Sequence, residues 1–193
     1  MAINAGPKFW ANIQAEPKRK YRFVLNLGGI DHWVITRVTR PSFTITETEH
    51  AYYNHKFYYP GRVEWQTVSF SLVDPIHPDA TGYIMGILGA CGYRFPEPGK
   101  FKSISKQLAV QALKEPKIRA LNANGDDVEV WTLKNAWIKN ATMDSYEYAS
   151  DDMLTMEIEL RYDYATYLST GGAALPPDIA INNGYAELKP KTN

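Results

Sequence analysis

The sequence predicts a mainly β protein of the α+β class: an antiparallel β-sandwich or partial barrel with one main flanking helix. Apolar and polar residues alternate along residues 20–27, 62–73 and 153–164, as they do in strands that bury one face. Turn signals separate such runs, and Asn124-Gly125 is the strongest hairpin signal of the chain. Aromatic residues make up 13% of the 193 residues, and they favour strands over helices.

The composition along the chain predicts one β domain, residues 19–168, between two arms. Residues 1–18 mix Gly, Pro, Lys and isolated aromatic residues without a period, as expected of a segment that orders only against a partner. Residues 169–193 are similarly rich in Gly, Pro, Asn and Lys. A typical domain has about 100 to 150 residues, so the chain has room for one.

The start of the domain predicts a hairpin. Residues 20–27 and 32–39 both alternate, and the turn around Gly28-Gly29 lies between them. Residues 43–48 then predict a short strand, and the tyrosine-rich stretch 51–59 fits either a loop or a second hairpin.

Pro60-Gly61 is a turn signal, after which residues 62–73 predict one long strand. The main helix is predicted over residues 78–92, where apolar residues recur at helical spacing and a proline stands near the first turn. Residues 105–114 predict a shorter second helix, which ends before Pro116.

The second half of the domain predicts two further hairpins. Residues 117–121 and 128–133 flank the Asn124-Gly125 turn. Residues 136–148 pair with 153–164 across a turn at 149–152. The run 153–164 alternates without a break, which predicts a single strand of about 40 Å at roughly 3.3 Å per residue.

Charge and cysteine content exclude several classes of protein. The chain has 21 Lys and Arg against 21 Asp and Glu, so it has no overall field that attracts nucleic acid or an anionic membrane. The single Cys91 excludes an internal disulfide, and the first residues lack the pattern of a signal peptide. We therefore expect the chain to fold in the cytoplasm. No run approaches the roughly 20 apolar residues of a membrane span.

The sequence predicts no enzyme, no metal site and no cofactor. His50 and His55 would face opposite sides of a strand, whereas metal ligands must converge on one point. Cys91 lies on the apolar helix face without basic neighbours that would lower its pKa. Glu157 and Glu159 alternate as a solvated strand face does, and a carboxylate acid/base pair needs one member in an apolar pocket.

Three segments have a combined pattern that is typical of one protein family. They are YRFVLNLGG from Tyr21, YYPGRVEWQTVSFSLVD from Tyr58 and VEVWTLKNAWIKNATMDSYEYASDDMLTMEIELRYDY from Val128. Together they resemble the tail tube proteins of contractile-tailed, T4-like bacteriophages. The Trp-containing strand 65–70 is similar to the one that precedes the family's helix. The family's closing hairpin is similar to Trp137 with residues 146–152 and 156–163. The resemblance covers about residues 20 to 165.

The resemblance implies hexameric rings that stack into a hollow tube inside a sheath, within the virion, after assembly in the host cytoplasm. The implied partners are other copies of the chain, the sheath and the baseplate or terminator proteins; genomic DNA passes through without specific binding, and no membrane is involved. A mildly acidic to neutral channel would be lined by two strand faces, formed by Thr67, Ser69, Ser71, Thr155, Glu157, Glu159, Arg161 and Asp163. The anchors between rings would be the arm residues Phe9, Trp10 and Tyr185.

Three other functions fit the same sequence. A tube-initiator or baseplate ring of the same fold would end a stack rather than extend it. A secretion-system tube ring would carry protein instead of DNA. A carbohydrate-binding β-sandwich would use surface tyrosines as its platform, namely Tyr52, Tyr53, Tyr58 and Tyr59.

Overall fold

A computed structural model describes residues 16–94 and 103–170, together with the backbone of residues 179–182 and 185–188. The helices are α1 (Ala80–Ala90) and α2 (Lys106–Leu113). The strands are β1 (Phe23–Asn26), β2 (Ile35–Val38), β3 (Phe43–Tyr52), β4 (His55–Trp65), β5 (Val68–Val73), β6 (Lys117–Leu121), β7 (Asp127–Lys134), β8 (Trp137–Met143), β9 (Thr155–Arg161), β10 (Tyr164–Ser169), β11 (Ile179–Asn182) and β12 (Tyr185–Leu188).

Two open four-stranded sheets form the body of the described domain. The first sheet has the order β1-β6-β7-β10 and the second the order β2-β5-β9-β8, with every neighbouring pair antiparallel. Strands β3 and β4 form a separate two-stranded hairpin, and so do β11 and β12. The predicted fold class, mainly β and antiparallel with a flanking helix, is confirmed.

Both sheets and both helices contribute to one hydrophobic core. In the second sheet the strands β5 and β9 bury every other residue, and Phe70 stands directly opposite Ile158. The first sheet adds apolar residues such as Leu25 and Leu133, and the helices add residues such as Ile84 and Leu113. Each sheet therefore has one apolar face, and the sequence alternates because only that face is dry.

Both predicted helices are present, and each begins one or two residues after its predicted start, directly behind a capping side chain. The Asp79 carboxylate accepts a hydrogen bond from the Gly82 N–H at 2.8 Å, and the Ser105 hydroxyl accepts one from the Leu108 N–H at 3.2 Å. Such caps satisfy backbone donors that the first helical turn leaves free. The predicted hairpins β6–β7 and β8–β9 are confirmed as well, although β8 ends at Met143 rather than at residue 148.

The predicted hairpin of residues 20–27 and 32–39 is wrong. Strand β1 pairs with β6, and β2 pairs with β5, so the two strands are edges of different sheets. Ile30 and Val34, in the connection, are buried in the core. The chain therefore crosses from one sheet to the other over the core, where burial outweighs the local preference of Gly28-Gly29 for a tight turn.

The predicted strands 153–164 and 62–73 are each divided in two. Strand β9 ends at Arg161 in the second sheet, and β10 begins at Tyr164 in the first. The buried Tyr162 lies between them. Since both sheets face the same core, the alternation of apolar residues continues through the bend. Residues 62–73 divide in the same way between β4 and β5.

The turn predicted at Pro60-Gly61 is also wrong, because both residues lie within β4. The hairpin turns instead after Tyr52, and Tyr53 has a left-handed backbone with φ of 51°. Each strand of a two-stranded hairpin is an edge, so a proline without an N–H is tolerated there. The pairing register shifts between Ile45 and Glu47, opposite this site. Of the two alternatives for residues 51–59, the second hairpin is the one observed.

The shared core predicts a large cost for truncating Phe70. We expect Phe70→Ala to lower the free energy of unfolding by about 3 to 5 kcal/mol, because the residue is fully buried and the cavity would fill only in part. Urea unfolding followed by tryptophan fluorescence measures the change. Thr142→Ala, at an exposed position of the same sheet, is the control and should change it by less than about 0.5 kcal/mol. Equal losses in the two variants would contradict the described core.

Candidate assembly surface

The register of β5 and β9 brings most of the predicted channel residues onto one surface. Ser69 stands opposite Glu159, and Ser71 stands opposite Glu157. Residues directly opposite in an antiparallel pair share a face, which here is the one turned away from the core. We call this surface the polar face. Its members from the predicted set are Thr67, Ser69, Ser71, Thr155, Glu157, Glu159 and Arg161.

The polar face also carries basic residues that sequence reasoning missed. Lys139 of β8 extends its ammonium to 3.1 Å from the Glu159 carboxylate. Arg37 of β2 stands opposite Ser71. Both strands have a register shift, between Ile35 and Arg37 in β2 and between Ile138 and Asn140 in β8, so the partners could not be read from spacing alone. With these residues, three cations accompany two carboxylates, so the face is slightly basic rather than mildly acidic to neutral as the sequence predicts.

Hydrogen bonds organise the centre of the polar face. Thr67 and Lys139 donate to the Glu159 carboxylate, and these bonds lower the pKa of Glu159 below its ordinary value. Arg161, at the end of β9, donates from Nη1 to the Trp65 carbonyl at 3.0 Å. Both acids lie on the face turned away from the core rather than in an apolar pocket, so the arrangement does not resemble an acid/base pair.

Asp163 stands apart from the other predicted channel residues. It lies beyond the end of β9, where its carboxylate accepts hydrogen bonds from Lys106 Nζ and Asn135 Nδ2, both at 2.8 Å. The bond from Lys106 and then that from Asn135 lower the pKa of Asp163. Asp163 thus connects the start of α2, the β7–β8 turn and the bend between the two sheets.

The β3–β4 hairpin is the most exposed apolar part of the described chain. Nearly every residue of its two strands is exposed, and the strands pair only with each other. Its exposed apolar and aromatic residues are Phe43, Ile45, Tyr52, Tyr53, Phe57, Tyr58, Tyr59 and Val63. A lone two-stranded hairpin is marginally stable in water, and an exposed apolar patch of this kind marks a site of interaction.

The hairpin tyrosines do not form one flat platform. Tyr59 pairs with Thr48 and Tyr52 with His55, which places Tyr52 and Tyr59 on one face. Tyr58, the next residue along β4, faces the other side. Tyr53 lies in the turn, with its ring at 4.7 Å and 90° from that of Tyr52. This geometry counts against a carbohydrate platform made of all four residues.

Both sheets have open edges in the described part of the chain. Strands β1 and β10 end the first sheet, and β2 and β8 end the second. An open edge leaves backbone N–H and C=O groups that another chain can pair with.

At its base the exposed hairpin is attached to the core through aromatic contacts. Phe43 packs on Trp65 at 5.5 Å, and Trp65 packs on Tyr162 at 6.0 Å, between ring centroids.

The remaining predicted residues are the proposed anchors of the two arms and Cys91. The proposed anchors Phe9 and Trp10 lie outside the described residues, and Tyr185 begins β12, of which only the backbone is described. Cys91 is buried, and burial raises the pKa of its thiol. Within residues 16–94 and 103–170 no group of three His, Cys, Asp or Glu could hold a metal ion. No described helix is long and apolar enough to cross a bilayer.

Comparison with known structures shows where else this fold occurs. Against the tube-terminating cap of the anti-feeding prophage, the TM-score is 0.63 at 20% identity over 88% of this chain and 100% of that chain. A chain from the anti-feeding prophage baseplate gives 0.58 at 17% identity over 80% and 97%. The sheath/tube terminator of the PVC extracellular contractile injection system gives 0.58 at 19% identity over 80% and 98%. The protein shares their fold.

Comparison of the sequence with protein-family models and with curated proteins finds no match. At identities of 17 to 20% the structural likeness concerns the fold, and the function has to be argued from the surfaces described above.

The position of Asp163 predicts a pH-dependent contribution to stability. Because its folded pKa is lowered, the stabilisation is present above the ordinary value of 3.8 and is lost as the pH falls through the folded pKa. We expect Asp163→Ala to lower the free energy of unfolding by about 0.5 to 1 kcal/mol at pH 7 and by almost nothing near about pH 2. Urea unfolding at both pH values measures this.

The matched control is Glu157→Ala, on the polar face. Glu157 has no ion pair within the described part of the chain, so its removal should leave stability nearly unchanged at both pH values. A loss for Asp163→Ala that is the same at pH 7 and at about pH 2 would contradict the connecting role of this carboxylate.

Proposed function

We propose that this protein is a structural subunit of a contractile tail or contractile injection particle. Copies join side by side into hexameric rings, and the rings stack to form a hollow tube. The observation that carries the proposal is the exposed β3–β4 hairpin, an apolar element that pairs with no other strand among the described residues, in a fold shared with tube-terminating and baseplate chains. The role is structural rather than catalytic.

The size of the hairpin supports assembly. Strand β4 has 11 residues, so at about 3.3 Å per residue it extends roughly 35 Å from the core. Aromatic residues occupy both of its faces, with Phe57 and Tyr59 on one and Tyr58 on the other. Burying such rings on a neighbouring copy is favourable at about 25 cal/mol per Å² of apolar surface. The hairpin therefore gains stability in an assembly that it lacks in a single copy.

The open sheets support ring formation. In a closed ring, the β2 edge of one copy meets the β8 edge of the next, so the second sheet keeps no free edge. The polar faces of successive copies then form the wall of a channel. Contacts from one ring to the next are head-to-tail and do not close, so they generate a tube of defined width.

The charge of the polar face supports passage of a cargo without specific binding. A uniformly basic wall would retain DNA, because every phosphate contact adds affinity. Here the cations Arg37, Lys139 and Arg161 exceed the carboxylates of this face by one charge only, so the wall is not uniformly basic. Following the resemblance to phage tail tubes, we propose that the cargo is genomic DNA, that sheath and baseplate or terminator proteins are the partners, and that the particle assembles in the host cytoplasm.

A second candidate function is a ring that ends a tube. It is favoured by the likeness to the tube-terminating cap, which covers the whole of that chain. A ring of this kind would add to a tube of another protein and would not form tubes itself. A tube that carries protein instead of DNA stays a further alternative.

Negative-stain electron microscopy of the full chain tests the proposal. We expect six-fold rings and, at higher concentration, tubes. Rings without tubes would favour the terminating role, and particles that remain monomeric at all concentrations would overturn both. Phe57→Ser with Tyr59→Ser should remove the tubes without lowering the melting temperature, because both rings are exposed in one copy. Ile76→Ser, at an exposed position outside the hairpin, is the control and should leave assembly intact.

The arms are proposed as links between rings, with Phe9, Trp10 and Tyr185 as anchors. Deletion of residues 1–15 should leave rings intact but shorten or abolish tubes. The deletion stops before Glu16 because Glu16 pairs with Arg22 at 2.7 Å and Lys18 pairs with Glu129. Tube length is measured by electron microscopy at matched protein concentration. Tubes of unchanged length would reject the proposed role of the N-terminal arm.

A further inference from the structure

A basic groove runs along one side of the domain, between the open edges of the two sheets. Its cavity has a volume of about 580 Å³ and lies between β1 of the first sheet and β2 of the second. Phe23 and Ile118 contribute apolar surface to it. Seven Lys and Arg side chains line the groove.

Four of these cations are already paired within the chain. Lys18 and Arg40 both contact the carboxylate of Glu129, the latter at 3.4 Å. Arg119 binds Asp127 at 2.7 Å, and Arg22 binds Glu16 at 2.7 Å. The remaining cations, Arg19, Lys20 and Arg37, are exposed and have no ion pair within the described part of the chain. The groove thus has a surplus of four positive charges over these three carboxylates.

Glu129 fixes the shape of the groove. It is the one buried charged residue among those that the structure describes, and the Trp131 indole also donates to it, at 2.5 Å. Burial raises the pKa of Glu129, but the bonds from Lys18 and Trp131, with the charges of Lys18 and Arg40, outweigh burial, and the pKa lies below its ordinary value. The ionised carboxylate therefore holds the segment before β1 and the end of β2 in place.

The chain also carries a segment with the opposite charge. Residues 144–152, with the sequence DSYEYASDD, connect β8 to β9 and are exposed throughout. They contain four carboxylates and no cation, and none of these carboxylates has an ion pair within the described residues. Tyr146 and Tyr148 are fully or almost fully exposed. We call this segment the acidic loop.

The acidic loop and the basic groove lie on opposite sides of the same sheet. The order β2-β5-β9-β8 puts the groove at the β2 edge and the loop at the β8 edge. Three strand spacings, about 14 Å, separate these two edge strands. Along the strands, the loop follows Met143, level with Ile35, and the groove extends from Thr36 to Arg40. Two surfaces so placed fit a head-to-tail contact between copies.

We propose that the basic groove of one copy receives the acidic loop of a neighbouring copy. The carboxylates of the loop pair with the free guanidinium and ammonium groups, and its exposed tyrosines pack on the apolar part of the groove. This contact rests on the proposed function, in which copies assemble. Charge pairs of this kind select the partner and its orientation, and they disfavour contact between two like surfaces.

Two charge-reversed full-length variants test the contact. Arg19→Glu, Lys20→Glu and Arg37→Glu reverse the three unpaired cations and make the groove acidic, and Glu147→Lys, Asp151→Lys and Asp152→Lys make the loop basic. Each variant alone places like charges in contact, and we expect the concentration needed for half-assembly to rise about 10-fold or more. Sedimentation velocity measures it. Lys114→Glu with Lys117→Glu reverses exposed charges outside the groove and should have no effect.

A one-to-one mixture of the two variants gives the decisive result. In an alternating ring every reversed groove meets a reversed loop and every native groove meets a native loop, so the mixture should assemble like the native protein. A folding defect in either variant could not be restored in this way. Native assembly of each variant alone, or no rescue on mixing, would overturn the contact while leaving the proposed function intact.

Two further outcomes are distinguishable. If the native chain does not assemble, the proposed function fails and the contact fails with it. If the groove variant assembles normally but loses binding of a single-stranded DNA oligonucleotide that the native chain binds, the groove is a nucleic-acid site and the proposed contact is wrong.

Discussion

The structure depends on one constraint: two open sheets and two helices share a single apolar core. Each strand of the sheets can be dry on one side only, so Phe70 and Ile158 point inward while Ser71 and Glu157 point to solvent. Among the described strands, the same constraint leaves four sheet edges open, because the core is covered without closing a barrel. The outward face and the open edges are therefore direct consequences of the way in which the core is built.

The positions of the charged residues follow from the same arrangement of two sheets around one core. Glu129 enters the interior where the two sheet edges approach each other, and an ionised carboxylate is stable there only with partners. Its cationic partners come from outside its own strand, from Lys18 before β1 and Arg40 after β2. Because these two cations share one carboxylate, they add one positive charge to the three that Arg19, Lys20 and Arg37 give the groove. On the polar face, which is solvated, acids and bases alternate without such a requirement.

One copy buries its apolar core but leaves aromatic residues and surplus charges exposed on its surface. The β3–β4 hairpin exposes aromatic residues on both faces, the groove has a surplus of positive charge, and the acidic loop has a surplus of negative charge. In a single copy these features are unfavourable or neutral. In the proposed assembly, the acidic loop of one copy would complement the basic groove of the next. The fold places them at different sides of the domain, which is the geometry that an open or cyclic assembly uses. The proposed role in a tube follows from this incompleteness.

The sequence by itself determined the β class, both helices and the hairpins β6–β7 and β8–β9, because these depend on local signals. Asn124-Gly125, the caps Asp79 and Ser105, and the alternation in β5 and β9 act within a few residues. It also determined most members of the polar face, since alternation reports which side chains avoid the core.

Only the tertiary structure decided which sheet each strand joins. Apolar and polar residues alternate in the same way in strands on both sides of a shared core. The bend after Arg161 and the crossing between β1 and β2 therefore do not change the sequence pattern. Lys139 and Arg37 joined the polar face, and Asp163 stood apart from it, because register shifts and the bend set their neighbours. Such partners depend on the pairing of strands distant in the chain, which local periodicity does not encode.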